Sequence, residues 1–340
     1  MSSSGTVAAA GVQPASAHTP SPLLAALDLG TNNCRLLIAE ACHNGFRVVD
    51  GYSQIVRLGE GLAASGRLGE AAMARTLGAL RVCAEKLAQR PVVRSRFVAT
   101  EACRAAANGG EFLVRVEAET GIRFSVISPE EEARLSVLGC APLLDPNAAL
   151  ALVIDVGGGS TELSWVACGG GPLRVAAWTS LPHGVVTLAE QYCDNVDSPQ
   201  WYAGLVEAVA ASLRAFTGAE HLRETFMHGP VHYLGTSGTV TSLAGVLLDL
   251  PRYQRARVDG LWLEVDQACA TVERLRSLGR AYRAAHPCIG FERADLVVPG
   301  GAILEAIFRV WPASRIRVAD RGLREGVLYT LLGQGGALGE

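Results

Sequence analysis

Ala151-Leu152-Val153-Ile154-Asp155-Val156-Gly157-Gly158-Gly159-Ser160-Thr161-Glu162 is the stretch that decides the fold. An apolar strand-like run ends in an aspartate and turns through three glycines into Ser and Thr. Near the start the chain does the same: Leu23–Leu27 runs into Asp28-Leu29-Gly30-Thr31-Asn32-Asn33-Cys34-Arg35. Such a turn presents backbone N–H groups and hydroxyls to an anion, while its Asp can hold a divalent cation. Two of them, about 127 positions apart, look like two facing half-sites. A metal-bound polyphosphate group is the natural occupant of the space between.

Length and composition fit this plan. The chain has 340 residues, enough for two domains that each bury a core, and its 49% hydrophobic and 19% charged content is that of a globular protein. A net charge of −3 gives no global basic field, so nucleic acid is not an expected partner. Nine Cys occur without a CxxC pair, which argues against zinc and for reduced thiols in a cytoplasmic protein. Cys34, Cys83, Cys140, Cys168, Cys193 and Cys288 lie in or beside apolar runs, and the seven His have no metal-ligand spacing. No apolar run reaches the roughly 18 residues of a membrane helix. Residues 1–22 are rich in Ser, Ala, Pro and Gly without Lys or Arg, and read as a disordered leader.

Periodicity organises the rest. After the first turn, Arg35–Ala39 and Phe46–Gln54 read as strands, and Leu58-Gly59-Glu60-Gly61 closes the sheet. Glu70–Gln89 has helical apolar spacing, Arg96–Thr100 is a short buried strand, Phe112–Thr120 a helix capped by Gly121, and Phe124–Ile127 a strand. The second unit repeats the plan with strands Leu163–Val166 and Leu173–Trp178, helices Gly184–Cys193 and Pro199–Thr217, and strand Val231–Leu234 before Gly235-Thr236-Ser237-Gly238-Thr239. Asp295–Val298 then leads into Pro299-Gly300-Gly301 and a helix, and Ile316–Val318 is a last strand before a C-terminal helix. The duplicated α/β plan puts a ligand in the cleft between copies, where strand ends converge.

These residues resemble the exopolyphosphatase/guanosine pentaphosphate phosphohydrolase (Ppx/GppA) family. The blocks that carry the likeness are Ala26–Asn32, Val56–Leu62, Ala99–Arg104, Ile127–Leu135, Asp155–Glu162, Gly235–Thr239, Gly300–Leu304 and Gly322–Gly326, in the family's order. Two positions depart from the family pattern, with Pro129 where a Gly is usual and Thr31 where a Ser is usual. The resemblance is to the short form. It implies a duplicated actin/hexokinase/Hsp70-like (ribonuclease H-like) two-domain fold with an interdomain cleft. Domain I is expected at 23–130 plus 321–340, and domain II at 131–320. A homodimer is a further expectation.

The resemblance makes Glu132, third glutamate of Ser128-Pro129-Glu130-Glu131-Glu132-Ala133, the base that positions and deprotonates the attacking water. Glu130 and Glu131 read better as acidic residues of a helix start, a role also open to Glu132. Asp155 and Glu162 are the Mg²⁺-side acids, since Mg²⁺ needs only one or two carboxylates besides water and phosphate oxygens. Gly157, Gly158, Gly159, Ser160 and Thr161 form one phosphate loop, and Asp28, Gly30, Thr31, Asn32 and Arg35 its partner. Arg104 is a candidate phosphate clamp or a salt-bridge residue, and Arg57 a weaker candidate of the same kind. Gly235, Thr236 and Ser237 resemble a turn that faces the nucleoside in nucleotide-binding relatives; in a polyphosphatase it would meet phosphates further along. The expected function is Mg²⁺-dependent release of terminal phosphate from polyphosphate. The alternatives are guanosine pentaphosphate hydrolysis and a nucleotide-binding regulatory module. No acceptor-site signature favours a sugar or acetate kinase.

Overall fold

A computed structural model describes residues 21–43, 45–169, 173–191, 197–216 and 231–333. The expected leader lies outside the described residues except for Ser21 and Pro22, as do Cys193 and the far ends of the two helices expected to reach Cys193 and Thr217.

The run Leu23–Leu29 forms β1, from which β2 (Asn33–Cys42) and β3 (Gly45–Ile55) fold back as antiparallel partners. Helices α1 (Leu62–Ser65) and α2 (Glu70–Ala88) lead to β4 (Val92–Ala99), parallel to β1. Helices α3 (Glu101–Ala105) and α4 (Gly109–Thr120) precede β5 (Ser125–Val126), and Gly121 ends α4 in the left-handed conformation. The first sheet therefore has the order β3-β2-β1-β4-β5. The strand expected at Arg96–Thr100 is longer and less buried, with only its last two residues, Val98 and Ala99, in the core. Its neighbour β5 pairs with nothing before Val98, so the rest of β4 stays at the surface.

Helix α5 (Pro129–Cys140) then crosses to the second sheet. There β6 (Leu150–Val156), β7 (Thr161–Ala167) and β8 (Arg174–Leu181) repeat the antiparallel meander. Helices α6 (Val185–Gln191) and α7 (Pro199–Arg214) precede β9 (Val231–Thr236), parallel to β6. Next come α8 (Ser237–Leu247), α9 (Arg255–Val258), β10 (Trp262–Glu264), α10 (Val265–Ser277), α11 (Gly279–Ala285) and α12 (Val297–Val310). Strand β11 (Arg315–Ala319) and α13 (Leu323–Leu331) are the last elements among the described residues. The order is β10-β11-β9-β6-β7-β8. Without edge strand β10 it matches the first sheet strand for strand, the duplicated actin/hexokinase/Hsp70-like architecture. Pro299-Gly300-Gly301 does not turn the chain before its helix but lies within α12. Pro299 is the third helical residue, where no intrahelical N–H bond is due.

Strand alternation sets the direction of the acids. In β1, Ala25, Leu27 and Leu29 pack under α2 and α4, while Leu24 and Ala26 face α5 and α13. In β6, Leu150, Leu152, Ile154 and Val156 enter the outer core, while Ala151 and Val153 face Val137 and Leu138 of α5. Asp28 and Asp155 continue the inner rows by the period of two. Both point to the side covered by the crossover helices. Across the hairpins, Asp28 pairs with Arg35 and Asp155 with Glu162. The two crossovers meet backbone to backbone: a Cβ on Gly326 would lie 1.9 Å from Leu135 O, and one on Gly139 1.9 Å from Gly322 O. The domain joins expected at 130/131 and 320/321 fall in the first turn of α5 and in the β11–α13 turn. Among the described residues no helix is long and apolar enough to cross a membrane, and all eight described cysteines are free.

Candidate active site

The two glycine turns touch. A Cβ on Gly158 would lie 3.1 Å from Thr31 Cβ and 3.2 Å from Asn32 N, and one on Gly159 2.8 Å from Thr31 Oγ1. Only glycine allows this approach. On their outer sides the turn carbonyls are used up. Val56 and Arg57 N–H donate to Asn32 O at 2.9 and 3.0 Å, and Gly59 N–H to Thr31 O at 2.9 Å. Val185 N–H donates to Gly157 O at 3.0 Å and Val186 N–H to Gly158 O at 2.8 Å, so the second turn caps α6. The N–H groups of Thr31, Asn32, Gly158 and Gly159 have no acceptor among the described residues. This is the polarity of an anion cradle.

A single cleft gathers most of the expected residues: Asp28, Gly30, Thr31, Asn32, Arg35, Glu132, Asp155, Gly157, Gly158, Gly159, Ser160, Thr236 and Ser237. Four do not line it. Glu162 stands behind Asp155, buried, accepting from Ser180 Oγ at 2.9 Å. The Thr161 hydroxyl donates to His183 O at 2.6 Å, and Gly235 packs against Val240 and Ile316. Arg104 donates to Glu101 Oε2 at 2.6 Å and to Ile127 O at 2.6 Å, and reaches Glu132 Oε2 at 3.3 Å. Its fork holds the base candidate in place, at 13% exposure of the Glu132 side chain. Arg57 also points elsewhere, toward Glu292 O at 2.8 Å.

Helix α5 delivers Glu132 through ordinary capping. The Ser128 side chain accepts from Glu131 N–H at 3.1 Å, Pro129 opens the helix, and Glu131 pairs with Arg96. Four residues on, Ser136 lies on the same face and donates to Asp155 Oδ2 at 2.7 Å. Sequence reasoning missed Ser136, although the i, i+4 spacing signals it. It also missed Arg324 and Arg293, which line the cleft. Arg324 is the second residue of α13 and has no hydrogen-bond partner among the described residues. Burial holds its guanidinium below the usual value, against the opposing pull of Glu325. Arg293 lies 3.4 Å from Ser242 Oγ. Ser237 has φ +89° and a buried Oγ without a partner, so the backbone is strained where the third turn meets the cleft.

Buried charge dominates the electrostatics. Burial first, then Glu162, pushes the Glu132 carboxyl well above the ordinary carboxylate range, with Arg104 opposing. Burial and Asp155 push Glu162 up to about 7. Burial pushes Asp28 up to about 6 against Arg35 and Arg324, and raises Asp155 against the Ser136 hydrogen bond and Arg35. Among the described residues no three His, Cys, Asp or Glu side chains gather in the geometry of a metal site. Asp155 and Glu162 nonetheless fit a hard divalent cation. They are cross-strand neighbours, Glu162 buried and Asp155 partly buried, bonded to hydroxyls and without an ion-pair partner among the described residues. A Mg²⁺ ion that keeps several waters needs no more protein ligands than these two.

Comparison with known proteins bears on the fold and the family. The profile of the Ppx/GppA phosphatase family matches residues 37–334. A crystal structure of the Ppx/GppA family member of Aquifex aeolicus is 27% identical, with a TM-score of 0.74 over 92% of this chain and 98% of that one. An exopolyphosphatase-like protein is 28% identical, with a TM-score of 0.77 over 91% and 98%. An exopolyphosphatase from Cytophaga hutchinsonii shares the fold at 23% identity, with a TM-score of 0.80 over 92% and 98%.

Proposed function

Because the chain belongs to the Ppx/GppA phosphatase family, we propose that it is a Mg²⁺-dependent phosphoanhydride hydrolase that releases the terminal phosphate of inorganic polyphosphate. Guanosine pentaphosphate, which ends in the same anhydride, is the alternative substrate. The observation that carries this reading is the position of Glu132, held by Arg104 at the cleft where the two cradles of free N–H groups meet.

In this reading the terminal phosphoryl group lies between Thr31–Asn32 and Gly158–Gly159, its oxygens accepting from those N–H groups. Arg35 and Arg324 face it as uncommitted cations, suited to charge that spreads over phosphoryl oxygens in the transition state. Glu132 takes the proton of the attacking water. A carboxylate with a raised pKa is a stronger base than an ordinary one. Arg104 fixes its orientation. Bound by Asp155 and Glu162, Mg²⁺ would supply charge neutralisation of the phosphate oxygens. Thr236 donates to Arg321 O at 2.6 Å and so braces the β11–α13 turn just ahead of Arg324.

The test is phosphate release from polyphosphate, guanosine pentaphosphate and ATP, each with Mg²⁺ and with chelator. Mg²⁺-dependent release from polyphosphate, faster than from the other two, is expected. Binding of all three without turnover would refute the hydrolase reading in favour of a regulatory module.

A further inference from the structure

The loop that braces the first turn is also tied to the opposite half. Arg57 follows β3 with φ +46°, a conformation that non-glycine residues keep only where the surroundings impose it. The imposing bonds are its own N–H and that of Val56 to Asn32 O, together with Arg75 Nε to Val56 O at 3.1 Å. In this posture the Arg57 side chain spans the rim of the cleft. Its Nη2 donates to Glu292 O at 2.8 Å and lies 3.8 Å from Asp295 Oδ2. Asp295 is itself gripped by Arg280 Nε at 2.5 Å, and Arg280 lies over the Phe291 ring at 4.8 Å. Gly61 N–H in the same loop donates to Glu190 Oε1 at 2.9 Å. Glu190 belongs to α6, the helix capped by the second turn. One loop thus grips the first turn with its backbone and the second half at two points. Neither Arg57 nor Asp295 lines the cleft.

We propose that Arg57 and Asp295 form a latch, a pair of positioning residues that holds the two glycine turns at contact distance in the ligand-free protein. The latch must release before a polyanion is admitted. Its chemistry suits that role. A guanidinium fork exchanges a carboxylate for a phosphate readily, because both oxyanions match its geometry. Arriving phosphate competes with Asp295 for Arg57, and closure behind the substrate restores the pair. The ion pair is partly exposed, so it is weak enough to open. Only the identity of the ligand rests on the function proposed above; the latch is a property of the ligand-free protein.

Hydrogen exchange read by mass spectrometry on the ligand-free full chain tests it, over peptides covering residues 57–62 and 157–161. Arg57→Gly removes the side chain while accepting φ +46°. Asp295→Asn removes the charge from the other side. Both variants should exchange about 3- to 10-fold faster in both peptides. Added salt should speed the wild type toward the variants and leave the variants unchanged. In turnover, both should lose about 2- to 10-fold in kcat without a rise in KM, and Arg57→Lys should recover part of the loss. Unchanged exchange in both variants would overturn the latch. So would a rise in KM with unchanged exchange, which marks Arg57 as a substrate contact. If the wild type hydrolyses nothing, the hydrolase reading fails while the exchange measurement still decides the latch.

Discussion

Glu162 is a stability liability in the metal-free protein, and Glu162→Gln should show it. The folded protein raises this carboxyl from the ordinary 4.5 to about 7, chiefly by burial. At about 1.4 kcal/mol per pH unit, holding Glu162 ionised disfavours the fold by roughly 3 kcal/mol. Its hydrogen bond from Ser180 can survive in the amide, whose oxygen still accepts. Part of the penalty is repulsion with Asp155, which leaves with the charge. A gain of about 1–3 kcal/mol at pH 8 is therefore expected for the variant. The sign follows from proton binding. Between 4.5 and about 7 the folded protein keeps a proton that the unfolded chain has released. Wild-type stability is thus full below 4.5 and falls as pH rises through 7. The assay is urea unfolding in EDTA from pH 4.5 to 8, with the slope checked for constancy. Wild type and variant should coincide at pH 4.5 and diverge upward. Mg²⁺ should stabilise the wild type more than the variant at pH 8. A Glu162→Gln protein that is equally or less stable at pH 8 would refute the reasoning.

Glu132→Gln should bind polyphosphate but lose at least ~10²-fold in kcat; near-normal single turnover would remove it as the base. Asp155→Ala should move the Mg²⁺ titration of activity to higher concentration, and an unchanged titration would detach this carboxylate from the metal. Gly326→Ala puts a methyl 1.9 Å from Leu135 O. It should lower the urea midpoint by about 1–3 kcal/mol of stability, and an unmoved midpoint would show that the crossover helices separate freely.

The residues that were legible in the sequence are those whose role follows from local chain direction. Asp28 and Asp155 end apolar runs, so the period of two fixed their face, and the glycines after them fixed the turns. Glu132 follows a Ser-Pro helix start, and a helix with an acidic first turn begins there. What was not legible depends on partners distant in sequence. Arg104 is adjacent to the cleft in either role, but the carbonyl of Ile127 and two carboxylates turn it toward Glu132. Thr161 shares its motif with Ser160, yet strand alternation sends its hydroxyl to His183 O. The resemblance returns the last helix to domain I, yet nothing local to the sequence shows that Arg324 is the side chain it turns into the cleft. Pro299-Gly300-Gly301 reads as a turn by composition. Its glycines instead let α12 approach Thr239 of α8 and Val272 of α10.

The two halves repeat a plan but not a charge. At the same rung of the same hairpin, aspartate faces Arg35 in one half and Glu162 in the other. Two halves related by a rotation and alike in charge would present a linear polyanion with two equivalent directions of travel. Here one wall offers a fixed cation and the opposite wall a second carboxylate, so the two directions are unlike in energy for any extended anion. Glu132 stands between the two, gripped by Arg104 of the first half and with Glu162 of the second as its strongest carboxylate neighbour. On the function proposed above, this asymmetry is what would let the site take a polymer by one end rather than the other.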